Sequence, residues 1–125
     1  MTGRSMRFDV ALGAFFGSLA VALGAFAAHG LSDPKAVGWV HTAGLYAGLH
    51  GLALLALAAL DRTGFRIMRG TRALFALGVF LFSGSLALMA FGGPHWLGMV
   101  TPFGGLAFVF GWCLLIFSAC RQLAD

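Results

Sequence analysis

The chain has 125 residues, 60% of them hydrophobic and only 10% charged. Soluble domains carry about 25% charged residues, so these charges are too few to cover a water-facing surface and a soluble fold is excluded. The formal charge of +4 comes largely from arginines beside apolar runs. There they serve to set membrane topology, so nucleic acid is not an expected partner.

Residues 1–9 are short and polar, with Arg4 and Arg7. Val10–Ala28 then runs without a charge and predicts a first spanning helix over about 10–30. Ala25-Phe26-Ala27 has the A-x-A form of a leader cleavage site; the expectation is a retained span. Asp33-Pro34 is a turn and helix-start signal.

Span two, about 36–60, contains Gly38–Leu60, GWVHTAGLYAGLHGLALLALAAL, with no Asp, Glu, Lys or Arg. It places His41, Tyr46 and His50 inside an apolar run, with His50 near mid-membrane. An ionisable group at that depth is a functional candidate by default. Tyr46 and His50 stand at i, i+4 and share one face, roughly opposite Gly44, Gly48 and Gly51 at about 100° per residue. Such a pair can pass protons or grip a polar ligand. The structural alternative is a neutral His50 hydrogen-bonded to Ser83 or Ser85, expected at matching depth in span three.

The segment DRTGFRIMRGTR (61–72) concentrates Arg62, Arg66, Arg69 and Arg72. Such a cluster suits anionic lipid head groups, but topology setting already accounts for the charge. A third charge-free run gives a span over 73–91, broken by Gly92-Gly93-Pro94. The fourth span covers 97–119, with Pro102 placing the start of regular helix near Thr101. Cys113 and Cys120 lie seven residues apart in this span, about 10 Å of rise, so a disulfide between them is excluded. Arg4, Arg7, Arg62, Arg66, Arg69, Arg72 and Arg121 fall on one side against Lys35 alone on the other. The positive-inside rule then puts both termini in the cytoplasm, with Trp39 and Trp96 at the outer interface.

The expected fold class is therefore an all-α, four-span membrane bundle forming one domain. Lipid gives helices no hydrophobic reason to associate, so small residues that admit close backbone approach supply the packing. Candidates are Gly13, Gly17 and Gly24 in span one, Gly44 and Gly48 in span two, and Gly104 and Gly111 in span four. GSLA occurs at 17–20 and 84–87, and span two matches span four at an offset of sixty. Those matches fit a hairpin duplicated in parallel, although Ala/Leu/Gly-rich sequence produces them readily.

His29, His41 and His95 fall toward one end without HxH, HxxxH or CxxC spacing, so no metal and no cofactor is expected. Ser83-Gly84-Ser85 would need a base and an orienting acid; His50 is the one candidate base and no carboxylate is embedded to orient it. An enzyme is not expected.

Several stretches taken together, GAFAAHG (24–30), Tyr46-x-x-x-His50, FSGSL (82–86) and TPFGG followed by Gly111-Trp112, resemble the YgdD-like small inner-membrane family. That family is labelled domain of unknown function 423, with eukaryotic relatives called transmembrane protein 256. The resemblance covers nearly the whole chain and implies four spans in a bacterial inner membrane, with no activity assigned. The matching positions are His29, Tyr46, His50, Ser83, Thr101, Pro102 and Trp112. The chain departs from the pattern at His41, where the family tends toward Gln, and at Leu45 and Ala47, where polar residues are frequent. For function, the leading expectation is a non-catalytic accessory subunit or scaffold packing against a larger membrane complex. The alternative is a small homo-oligomeric transporter or channel with its path near Tyr46 and His50.

Overall fold

A computed structural model describes residues 3–125 and is helical throughout its ordered elements. Helix α1 is Gly3–His29, α2 is Pro34–Arg62, α3 is Thr71–Ala90 and α4 is Thr101–Ala124. A short 3-10 segment, His95–Met99, leads into α4. Local chemistry sets the breaks. Asp33 caps α2 by accepting from the Lys35 N–H at 3.4 Å, and Pro34 occupies the first turn where its missing donor costs nothing. Gly70 precedes α3 at φ +93°, a backbone conformation that side-chain-bearing residues rarely adopt.

All four helical segments are long and apolar enough to cross a bilayer. Their outer surface carries large apolar side chains such as Phe15, Val21, Leu45, Leu88, Phe110 and Ile116, the inverse of a water-soluble protein and the face a lipid-embedded one requires. Short turns make the helices run up, down, up and down. α1 packs against α2 and α3 against α4, while α2 also packs against α3. Two apolar clusters fill the space between them. One centres on Phe16, Leu54, Leu57, Phe75 and Phe108, the other on Leu23, Val40, Ala43, Leu86 and Met89.

Glycines fix the helix separations. A Cβ on Gly13 would lie 2.8 Å from the Gly51 carbonyl oxygen, and one on Gly51 would lie 2.8 Å from that of Gly13. Gly44 and Gly48 meet Ala20 on α1 at 3.4 and 3.2 Å. In the other hairpin, a Cβ on Gly104 would stand 2.4 Å from the Phe82 backbone nitrogen and one on Gly111 2.7 Å from the Phe75 ring. Gly17 and Gly24 differ from the expectation drawn from spacing: nothing lies within 4 Å of a Cβ at either. Their backbone borders α2, but their own side-chain positions point past it, so these two are not required to be glycine for packing.

The offset-sixty match between α2 and α4 has a physical counterpart. Gly51 rests near Phe16 and Gly111 near Phe75; Gly44 rests near Leu23 and Gly104 near Phe82. The glycines of α2 and α4 thus do the same job in each hairpin. The GSLA runs do not, because with Phe16 and Phe75 in equivalent places those runs fall about two turns out of step.

α3 is interrupted by a π-helical turn at Val79–Ser83, the kind of local widening that re-aims side chains. From it Ser83 Oγ donates across to the Ala43 carbonyl of α2 at 2.8 Å. Ser85 reaches the other way and shares a 2.6 Å hydrogen bond with Thr101 of α4.

The end of the bundle bearing both termini is joined by charge. Asp9, only 4% exposed, lies 2.5 Å from Arg72 Nε, and Arg72 Nη2 also donates to Asp61. The Nε–Asp9 approach is close but not aligned as a hydrogen bond, so electrostatic attraction is what links it. One arginine of α3 thereby ties α1 to α2. Asp9 lies in the second turn of α1, which begins at Gly3, and is buried against Arg72 at this end of the bundle.

Candidate functional site

Among the described residues His50 is the one ionisable side chain buried near the middle of the spans, at 1% exposure. α2 delivers it to a pocket walled by aromatic rings of α3 and α4. Its imidazole stacks on Phe108 with centroids 3.6 Å apart and an interplanar angle of 10°. Phe75 meets it edge-on at 5.3 Å, and Trp112 stands at 5.9 Å. Tyr46, one turn away on α2, lies nearly parallel to it at 6.2 Å and packs on Phe82 at 4.7 Å.

Both ring nitrogens of His50 are occupied. Nδ1 lies 2.8 Å from the Tyr46 carbonyl oxygen, and the Trp112 indole N–H donates to Nε2 at 3.1 Å. A carbonyl only accepts and an indole N–H only donates. The arrangement therefore selects the neutral Nδ1–H tautomer, with Nε2 as acceptor. A second proton on Nε2 would face the indole N–H and forfeit that bond. Both buried polar groups are satisfied in this one state.

The histidine's partner thus differs from the expectation. Ser83 and Ser85 do not reach His50, because of helix register. Ser83 sits opposite Ala43, seven residues and about 10 Å along α2 from His50, while Phe75 occupies the His50 level. Tyr46 contributes its backbone carbonyl and its ring to the site. Trp112 carries a signal in the sequence that points to this role: an indole placed mid-span needs an acceptor for its N–H, and His50 is the acceptor at that depth. His29 and His41 are exposed and form no side-chain hydrogen bond to any described residue. His95 packs edge-on to Trp39 at 5.8 Å. Among the described residues no cluster of three or more His, Cys, Asp or Glu could hold a metal ion.

At the end opposite the termini, a lateral cleft of about 510 Å³ lies between α2, α3 and α4, with Trp39, Phe82, Leu86, Met89 and Thr101 among its walls. Lys35 Nζ sits at its mouth, 5.3 Å over the Trp39 ring, within reach of a cation–π contact.

Residues 23–105 match the family model described as protein of unknown function (DUF423). A UPF0382 membrane protein of Haemophilus influenzae is 40% identical over 116 residues, 90% of this chain and 91% of that protein. The UPF0382 inner membrane protein YgdD of Escherichia coli is 40% identical over 119 residues, 92% of this chain and 91% of that protein. The chain belongs to the DUF423 family. A UPF0382 membrane protein of Staphylococcus epidermidis is 34% identical over 119 residues, covering 93% of this chain and 98% of that protein. No solved structure matches the chain. Family membership and four apolar helices together make this DUF423 chain a multi-pass inner-membrane protein. The matched segment contains His50, Ser83, Ser85 and Thr101; Trp112 lies beyond it.

Proposed function

We propose that this DUF423 protein is a non-catalytic accessory subunit or scaffold of a larger membrane complex, oriented with both termini and the 61–72 segment in the cytoplasm. The observation that carries the reading is the closure of its polar interior. His50 is matched by Tyr46 and Trp112, Ser83 by Ala43, and Ser85 by Phe82 and Thr101. Engaged in this way, the His50 imidazole and the Ser83 and Ser85 hydroxyls hold helices together rather than standing free to pass a proton or grip a solute. Among the described residues no side-chain hydroxyl hydrogen-bonds to His50 to be activated as a nucleophile. The orientation follows from the seven arginines gathered at the end that bears the termini.

Native mass spectrometry after gentle extraction at natural expression level tests the reading. A defined hetero-complex is the expected result. A chain recovered alone under every mild extraction overturns it. A closed homo-oligomer overturns it too and favours the alternative, a small oligomeric transporter, whose path would then run between protomers rather than through the Tyr46–His50 interior.

A further inference from the structure

We propose that the end of the bundle bearing the termini holds a phosphate-bearing anion in the cleft between residues 66–69 and the last turns of α4. The cleft has a volume of about 360 Å³ and is lined by Arg66, Arg69, Arg121, Ser118 and Gln122 among others. The segment opposite α4 is pinned in place. The Met68 N–H donates to Ser118 Oγ at 2.9 Å, and the Arg66 N–H donates to Gln122 Oε1 at 2.9 Å. Gln122 Nε2 in turn donates back to the Arg66 carbonyl at 3.1 Å. Setting topology requires only that arginines be present on the correct side; it does not require a strap that fixes their backbone against a facing helix.

The charge around the cleft is unbalanced. Arg66 pairs with Asp125 at 2.6 Å, but both side chains are mostly solvent-exposed, at 75% and 66%, so the pair is weak. Arg69 and Arg121 have no carboxylate partner among the described residues. Three guanidiniums held around one cavity repel each other, and the group that relieves the repulsion is an oxyanion. Phosphate oxygens match the planar fork of arginine donors. An apolar flank accompanies the charge: Phe117, one turn before Arg121 on the neighbouring face of the same helix, exposes its ring, where an acyl chain would lie. Basic pockets between helices suit anionic lipid phosphates. A free phosphate ion offers the same chemistry.

The test uses the full chain in nanodiscs of phosphatidylcholine with a minor fraction of phosphatidylglycerol, and native mass spectrometry to count retained lipid. Wild type is expected to keep phosphatidylglycerol in preference to phosphatidylcholine. The double variant Arg69→Gln/Arg121→Gln is expected to bind it roughly 25-fold more weakly, from about fivefold per basic residue. Arg4→Gln/Arg7→Gln, which removes the same charge from the same end, should retain wild-type binding. In pure phosphatidylcholine discs, millimolar inorganic phosphate that raises the melting temperature of wild type but not of the Arg69/Arg121 variant identifies free phosphate as the occupant. Equal losses in both double variants would overturn the proposal by showing that total charge alone is at work. So would the absence of both lipid preference and phosphate stabilisation in wild type.

Discussion

Arg72→Met is expected to destabilise the bundle by about 3–5 kcal/mol, the usual consequence of removing one partner from a buried ionic group. Arg72 stands between Asp9 and Asp61, and its loss leaves two carboxylates without a cation at the end of three helices. Asp9 bears most of the consequence because it is 4% exposed, and water cannot replace the arginine. Reversible unfolding in mixed micelles, followed by circular dichroism against detergent fraction, gives the number. Adding Asp9→Asn and Asp61→Asn to Arg72→Met is expected to recover most of the loss, since what destabilises is an uncompensated charge rather than missing volume. A loss below about 1 kcal/mol for Arg72→Met, the range of an exposed pair, would show that the three charges do not tie the helices together.

Gly51→Leu should separate α1 from α2, with a cost of about 3 kcal/mol, at the upper end of ordinary overpacking. The obstacle at Gly51 is largely backbone. Its Cβ would meet the Gly13 oxygen at 2.8 Å and the Gly17 nitrogen at 3.2 Å, with Phe16 Cβ at 3.0 Å between them. None of these is the end of a flexible side chain. α1 makes its principal packing contact with α2, so a forced separation has little else to hold it. Gly17→Ala provides the contrast, because its Cβ meets nothing within 4 Å; a change within about 0.5 kcal/mol is expected there. Equal effects at Gly51 and Gly17 in the same unfolding assay would contradict the assigned seam.

Much of the architecture is legible from charge-free runs and their interruptions. Asp33-Pro34 starts α2, Gly92-Gly93-Pro94 ends α3, and Pro102 stands in the first turn of α4. Each is a local signal whose physics does not depend on the rest of the fold. The depth of His50 is legible for the same reason, being a count along one helix. Its partner was not, because that requires the register between helices. The connection at residues 63–70 sets where α3 starts against α2, bringing Phe75 rather than Ser83 to the level of His50, and the π turn at Val79–Ser83 shifts the side chains after it. Helices that are apolar nearly all round give no phase in the sequence, so neither the π turn nor the buried side of α1 could be read. That is also why spacing alone gives Gly17 and Gly24 the same weight as Gly13. Small-residue spacing identifies a stripe, and only the neighbouring helix decides which members of the stripe are touched.

His50 is a closed structural joint in this bundle, neutral and matched at both nitrogens. Nitrogen-15 NMR of His50 in lipid nanodiscs tests this most directly, with the two ring resonances assigned and compared between wild type and Trp112→Phe. The expected spectrum shows a proton on Nδ1 and an acceptor Nε2, and the Nε2 resonance shifts when the indole donor is removed while Nδ1 stays protonated. A proton on Nε2, or an Nε2 resonance indifferent to Trp112→Phe, would contradict the joint and reopen His50 as a group free to exchange protons or bind a solute.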